Sequence, residues 1–247
     1  MPDFDVPPAV SLANLREFDV EAARRFPLPD SYLPGLGALG LIMDRNFDGS
    51  RCDWCTPTNC RTFACTGGNG VHFSLLVRDG RVDGQCSVVI TNPGGGDGRS
   101  WIVGENLFDF LCLGTNRGYF ALEQLAYSPE LTLRVYTDKA WQPSEDWHES
   151  VGFVPDGFQR RVLEFLSERF GLRPWPGPER FEELQEGFGS QLELPLDLIV
   201  MFPAFSMRLE RDFVLPRRLY LNRRDTPHSP RRFRKRRFPT TPPCHRG

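Results

Sequence analysis

Four thiols fall close together in the stretch CDWCTPTNCRTFAC: Cys52, Cys55, Cys60 and Cys65, spaced C-x2-C-x4-C-x4-C. Thiolates at such intervals are donors for tetrahedral zinc, at Zn–S distances of about 2.3 Å. Cys52-Asp53-Trp54-Cys55 is also a C-x-x-C pair, the unit of thiol–disulfide exchange. That chemistry needs a helix opening after a strand, and Thr56-Pro57 reads instead as a turn. His72 near Cys65 raises a third option, a Cys–His nucleophile, but nothing at recognisable spacing supplies an oxyanion hole or an orienting third group. TGGNG, from Thr66 to Gly70, has the glycines of a phosphate cradle without the GK[ST] ending or the helix that must follow.

The elements around these residues decide between the options. RTFA reads as extended, and five extended steps separate Cys60 from Cys65 by roughly 16 Å. Thiolates on one zinc must lie within about 4 Å of each other. An odd separation also predicts that the two point to opposite faces of the strand. The spacing resembles the zinc knuckle C-x2-C-x4-H-x4-C of nucleocapsid-type proteins, with Cys60 in the histidine's place. That alternative makes Cys52, Cys55, Cys60 and Cys65 a metal site and gives Trp54 a base to stack on. The preferred reading is four free thiols in a loop and a strand, with no metal and no cofactor. Cys86 and Cys112 sit among apolar neighbours and read as small buried hydrophobes.

TGGNG reads as a hairpin or bulged turn into VHFSLL, where His72 and Ser74 alternate with Phe73 and Leu75 as in a half-buried strand. His72 is expected to face solvent or a partner. Arg78-Asp79-Gly80 is a second turn, CSVVIT a third strand, and Trp101–Val103 a short strand running into a helix opened by Glu105 and Asn106. A short helix, GYFALEQLAY, and a strand, LTLRVYT, follow. Helix-surface roles suffice for Glu123 and Gln124. SLANLREFDVEAARRF has apolar residues at helical spacing, with Ser11 as N-cap. PDGFQRRVLEFLSERFG is the clearest helix, with Gly171 as C-cap. Arg173–Pro178 reads as a rigid link packed by Trp175, before the shorter helix PERFEELQEGF. Strands in the centre with helices flanking them predict an α+β fold, a central antiparallel sheet with packed helices.

The chain is 247 residues, 40 % apolar and 25 % charged, with a net charge of −2. That net value hides an asymmetry. From residue 216 onward there are 11 Arg/Lys against one acid, or +10, while the first 215 residues carry 19 basic and 31 acidic groups, or −12. The Arg/Pro-rich segment cannot bury a core and is expected to be disordered. It has the charge to bind nucleic acid. It is also compatible with loose docking on the acidic body, or with out-of-frame reading of GC-rich coding sequence. No run of 18 apolar residues exists, so no membrane span is expected. MPDFDVPPAV lacks the basic start and apolar run of a signal peptide, which leaves the cytoplasm as the expected location.

The run TPTNCRTFACTGGNGVHFSLL … SVVITNP … WIVGENLFDFLCLG … GYFALEQL resembles the SUKH superfamily, immunity proteins of bacterial polymorphic toxin systems and a related cell-wall-synthesis regulator. Leu28-Pro29-Asp30-Ser31-Tyr32 is similar to the LP-x-x-Y opening of that group. The resemblance covers roughly residues 26–190, preceded by a helical lead-in over 1–25 and followed by an irregular tail over 191–247 that has no counterpart there. It implies a non-enzymatic module that binds a protein partner, such as a basic toxin. Contact residues expected on that reading are Gly67, Gly68, Asn69, Gly70, His72 and Asp97.

Overall fold

The computed structural model describes residues 10–27, 33–44, 52–93, 99–126, 129–137 and 154–195. The chain divides into two units, Met1–Phe213 and Val214–Gly247, and every described residue belongs to the first. The expectations for Asp97, Leu28–Tyr32 and the Arg/Pro-rich tail beyond residue 195 lie outside the described residues.

Five strands form one antiparallel sheet in chain order: β1 (Ile42–Met43), β2 (Cys60–Cys65), β3 (His72–Leu76), β4 (Val88–Asn92) and β5 (Arg99–Gly104). This is the expected α+β architecture. Chain-order neighbours need only short reversals, and the turn residues supply them. Gly67, Asn69 and Gly70 take φ of 84°, 49° and 72° between β2 and β3, and Asp79 and Gly80 take 51° and 71° between the bridged Arg78 and Arg81. Two consecutive positive φ values suit a tight hairpin, because that turn's twist matches the strands.

β3 is the central strand, and all five of its residues are buried. The half-buried strand read from its alternation is thereby corrected. Period 2 does separate two faces, but here both are covered. On one face Phe63, Phe73, Phe110 and Tyr119 stack with ring centroids 4.9–6.2 Å apart, at the range and tilt that aromatic quadrupoles prefer. The other carries polar side chains in cross-strand register: Cys65, His72, Thr91 and Ser100 in one row, Thr62 and Ser74 in the next.

Register in β2 overturns a second expectation. Cys60 pairs with Leu76 and Cys65 with His72, four residues apart on β3, so both thiols leave the same face. A bulge is the cause. Phe63 is an extra residue between the pairs Thr62–Ser74 and Ala64–Phe73, and one extra residue reverses the alternation beyond it.

The helices are α1 (Leu12–Arg25), α2 (Leu107–Leu113), α3 (Pro129–Thr137), α4 (Gly157–Phe170) and α5 (Pro178–Phe188). Ser11 caps α1 through Asn14 N–H, Asn106 caps α2 through Asp109 N–H, and Gly171 ends α4 at φ 61°. GYFALEQLAY winds as the 3-10 segment Phe120–Ala126. α1 buries Leu15, Phe18 and Ala22, and Phe18 meets Phe165 and Phe170 of α4, so the expected lead-in is part of the core.

LTLRVYT is helical, not a strand. Its buried residues are Thr132, Leu133, Val135 and Tyr136, one face of a helix, and Pro129 sits where a first turn needs no N–H. Asn116 Nδ2 and Arg117 Nε donate to the carbonyls of Tyr136 and Val135, orphans of its last turn.

α5 runs along the β5 edge. The Gln185 amide accepts from Ile102 N–H at 3.0 Å and donates to Ile102 C=O at 2.7 Å, filling the place of a sixth strand. Trp175 in the α4–α5 link is buried, as expected, and its Nε1 donates to Asp109. Residues 191–193 also pack: Asn59 Nδ2 donates to Gln191 C=O, and Thr58 N–H to Glu193 C=O. The expected irregular tail thus has its first residues, 191–193, bonded to the loop before β2, and 192–195 have no regular secondary structure. Among the described residues no helix is long and apolar enough to cross a membrane.

Candidate functional site

Of the polar side chains on the sheet, His72 holds the most structure together. It is fully buried, in contrast to the solvent-facing role expected of it. Nδ1 lies 2.8 Å from Gly70 C=O, which only accepts, so Nδ1 carries the proton. Nε2 then accepts from the Thr56 hydroxyl at 2.8 Å, and Thr56 Oγ1 in turn accepts from Asp53 N–H at 3.1 Å. Burial lowers the imidazole's pKa, opposed by the Gly70 contact and the Asp53 charge. The neutral ring thus ties the loop at 52–58 to the Gly67–Gly70 turn.

A hydroxyl donating to imidazole Nε2 is the geometry of an activated nucleophile. Here neither Thr56 nor His72 has any exposed surface, and Nδ1 is held by a neutral carbonyl. The pair acts as a clamp. Sequence reading missed Thr56 because its partner lies 16 residues away with no motif linking the two.

The cysteines separate. Cys60 is buried at the start of β2 and Cys65 is half-buried at its far end, while Cys55 is buried in the loop and Cys52 is exposed. Among the described residues no three His, Cys, Asp or Glu side chains converge to hold a metal ion, so the four thiols do not fit zinc. Desolvation pushes Cys55 and Cys60 up to about 12, and raises Cys52, Cys86 and Cys112, so these are thiols at neutral pH.

No family model, curated protein or solved structure matches this chain. Its own geometry must carry the functional reading.

That geometry centres on the turn. Gly67, Asn69 and Gly70 are exposed and Gly68 is half-buried. A Cβ on Gly70 would lie 3.2 Å from Pro93 and 3.6 Å from Asp53 Oδ2, so the turn is wedged between the end of β4 and the 52–58 loop. Beneath it lies Glu123, only 6 % exposed, in place of the helix-surface role expected of it. Its Oε2 sits 3.2 Å from where a Gly68 Cβ would be and has no hydrogen-bond partner among the described residues. Desolvation raises its pKa. In the 52–58 loop Trp54 stands 49 % exposed, large for an apolar ring. The structure therefore brings Gly67, Gly68, Asn69 and Gly70 together at the surface, removes His72 from it, and sets Asp53 beside Gly70.

Proposed function

We propose that this chain is a non-enzymatic protein-binding module of the immunity type, whose partner is a basic protein such as a toxin. The observation that carries this reading is the exposed Gly67–Gly70 turn, braced from beneath by His72, Thr56 and Pro93. A contact surface held in one shape loses little conformational entropy on docking. Charge supports the choice of partner. The first 215 residues carry −12, a field that speeds encounter with a cationic protein.

The test is binding between the purified full chain and the product of the neighbouring coding region, followed by calorimetry and size exclusion. A 1:1 complex is expected, weakened at least tenfold by Asn69→Arg, which sets a cation at the turn's tip. A neighbour product that does not bind, or binding indifferent to that substitution, sinks the reading.

A further inference from the structure

Trp54 is the one large side chain of the 52–58 loop that the fold leaves half in water, while its neighbours Cys55, Thr56 and Pro57 are buried. An exposed indole on a loose loop would mean little, but this loop is held at several points. Cys52 N–H donates to Thr62 Oγ1, Asp53 N–H to Thr56 Oγ1, Thr56 to His72, and Thr58 N–H to Glu193 C=O. The ring is therefore presented from a fixed backbone.

Asp53, directly before it, is half-buried, and among the described residues its carboxylate has no basic partner. Among the described residues its only hydrogen bond is a long one from the Cys55 thiol, at 3.9 Å. The Asp53 carboxylate thus faces Gly70, whose Cβ would lie 3.6 Å from Oδ2, and the exposed indole directly follows it in the same pinned loop.

We infer that Asp53 and Trp54 form a clamp for an arginine side chain of a protein partner. A guanidinium is planar: it stacks on an indole face while its N–H fork donates to a carboxylate, which an ammonium does less well. Gly70, beside the carboxylate, has no Cβ to obstruct the approach. This deepens the reading proposed above and rests on it for the partner being a protein.

The test uses the full-length chain and synthetic nona-arginine, nona-lysine and nona-glutamine peptides, followed by NMR of the indole and backbone amides. Nona-arginine is expected to shift the Trp54 indole and the Asn69 and Gly70 amides first, nona-lysine to bind several-fold more weakly, and nona-glutamine to leave them unmoved. Trp54→Ala and Asp53→Asn should each weaken nona-arginine about 3- to 10-fold. Glu182→Gln, an equal charge change on exposed α5, should not. Equal loss in all three variants, or shifts spread over every acidic surface, overturns the clamp. A neighbour-encoded partner whose affinity ignores Trp54→Ala also overturns it while leaving the binding module intact. Peptide binding at Trp54 with no protein partner found would sink the module and keep the clamp.

Discussion

At the scale of single residues, the protonation of His72 couples this surface to pH. Its pKa is lower in the fold than the value near 6.5 of an unfolded chain. Above about pH 6.5 both states are neutral and the group has no effect. Below it the unfolded chain takes up a proton that the folded chain refuses, so stability falls as pH drops towards the folded-state value. Glu123, raised by desolvation, acts in the opposite sense, losing stability as pH rises through its own folded value. Urea midpoints between pH 7.5 and 5.5 should therefore fall more steeply in the wild-type chain than in His72→Gln. Parallel profiles would show that the ring is not the titrating group. The histidine's position on a strand was readable from alternation. Its burial was not, because that depends on Thr56 folding back across the sheet and on β3 being central, facts that no window around residue 72 contains. Glu123 was misread for the same reason. A carboxylate on a short helix is solvated unless a distant turn happens to close over it.

Elements show a different balance. Helix ends were the most legible feature, since Ser11, Asn106 and Gly171 act through bonds to residues within one turn. α3 was the least legible. Leu131, Leu133 and Val135 alternate as a strand would, and only burial of Thr132 and Tyr136 shows the helical face. Nor does anything in PERFEELQEGF announce that Gln185 closes the β5 edge. That amide replaces two ladder bonds, and unpaired edge strands invite association. Gln185→Ala should cost about 1–3 kcal/mol, the penalty for stranding buried polar groups. It should also make the protein self-associate on concentration, as light scattering would detect. A fully monomeric, equally stable variant would mean that the edge needs no cover. The neighbouring contacts of Arg180 with Glu105 and Asp109, at 2.6 and 3.0 Å, are partly exposed and add less.

For the molecule as a whole, the aromatic stack is the joint between sheet and helices. Phe110 of α2 touches Phe63 from β2, Phe73 from β3 and Tyr119 from the following turn, and none of the four has exposed surface. Phe110→Ala should therefore destabilise by about 3–5 kcal/mol, close to the total stability of many domains. Chemical denaturation would then show a chain partly unfolded in buffer, whereas a loss below 1 kcal/mol would place the core elsewhere. The fold class was readable because strand-like and helix-like stretches follow one another in blocks. The face reversal in β2 was not, since a bulge leaves no mark in composition. That bulge is a place where β2 can lose a residue without moving its neighbours to the other face. Removing Phe63 would restore strict alternation and leave Ala64 opposite Phe73 and Cys65 opposite His72, each on the side it now faces. What the strand would lose is the ring that meets Phe110 edge-on, so the extra residue serves the aromatic stack and not the pairing.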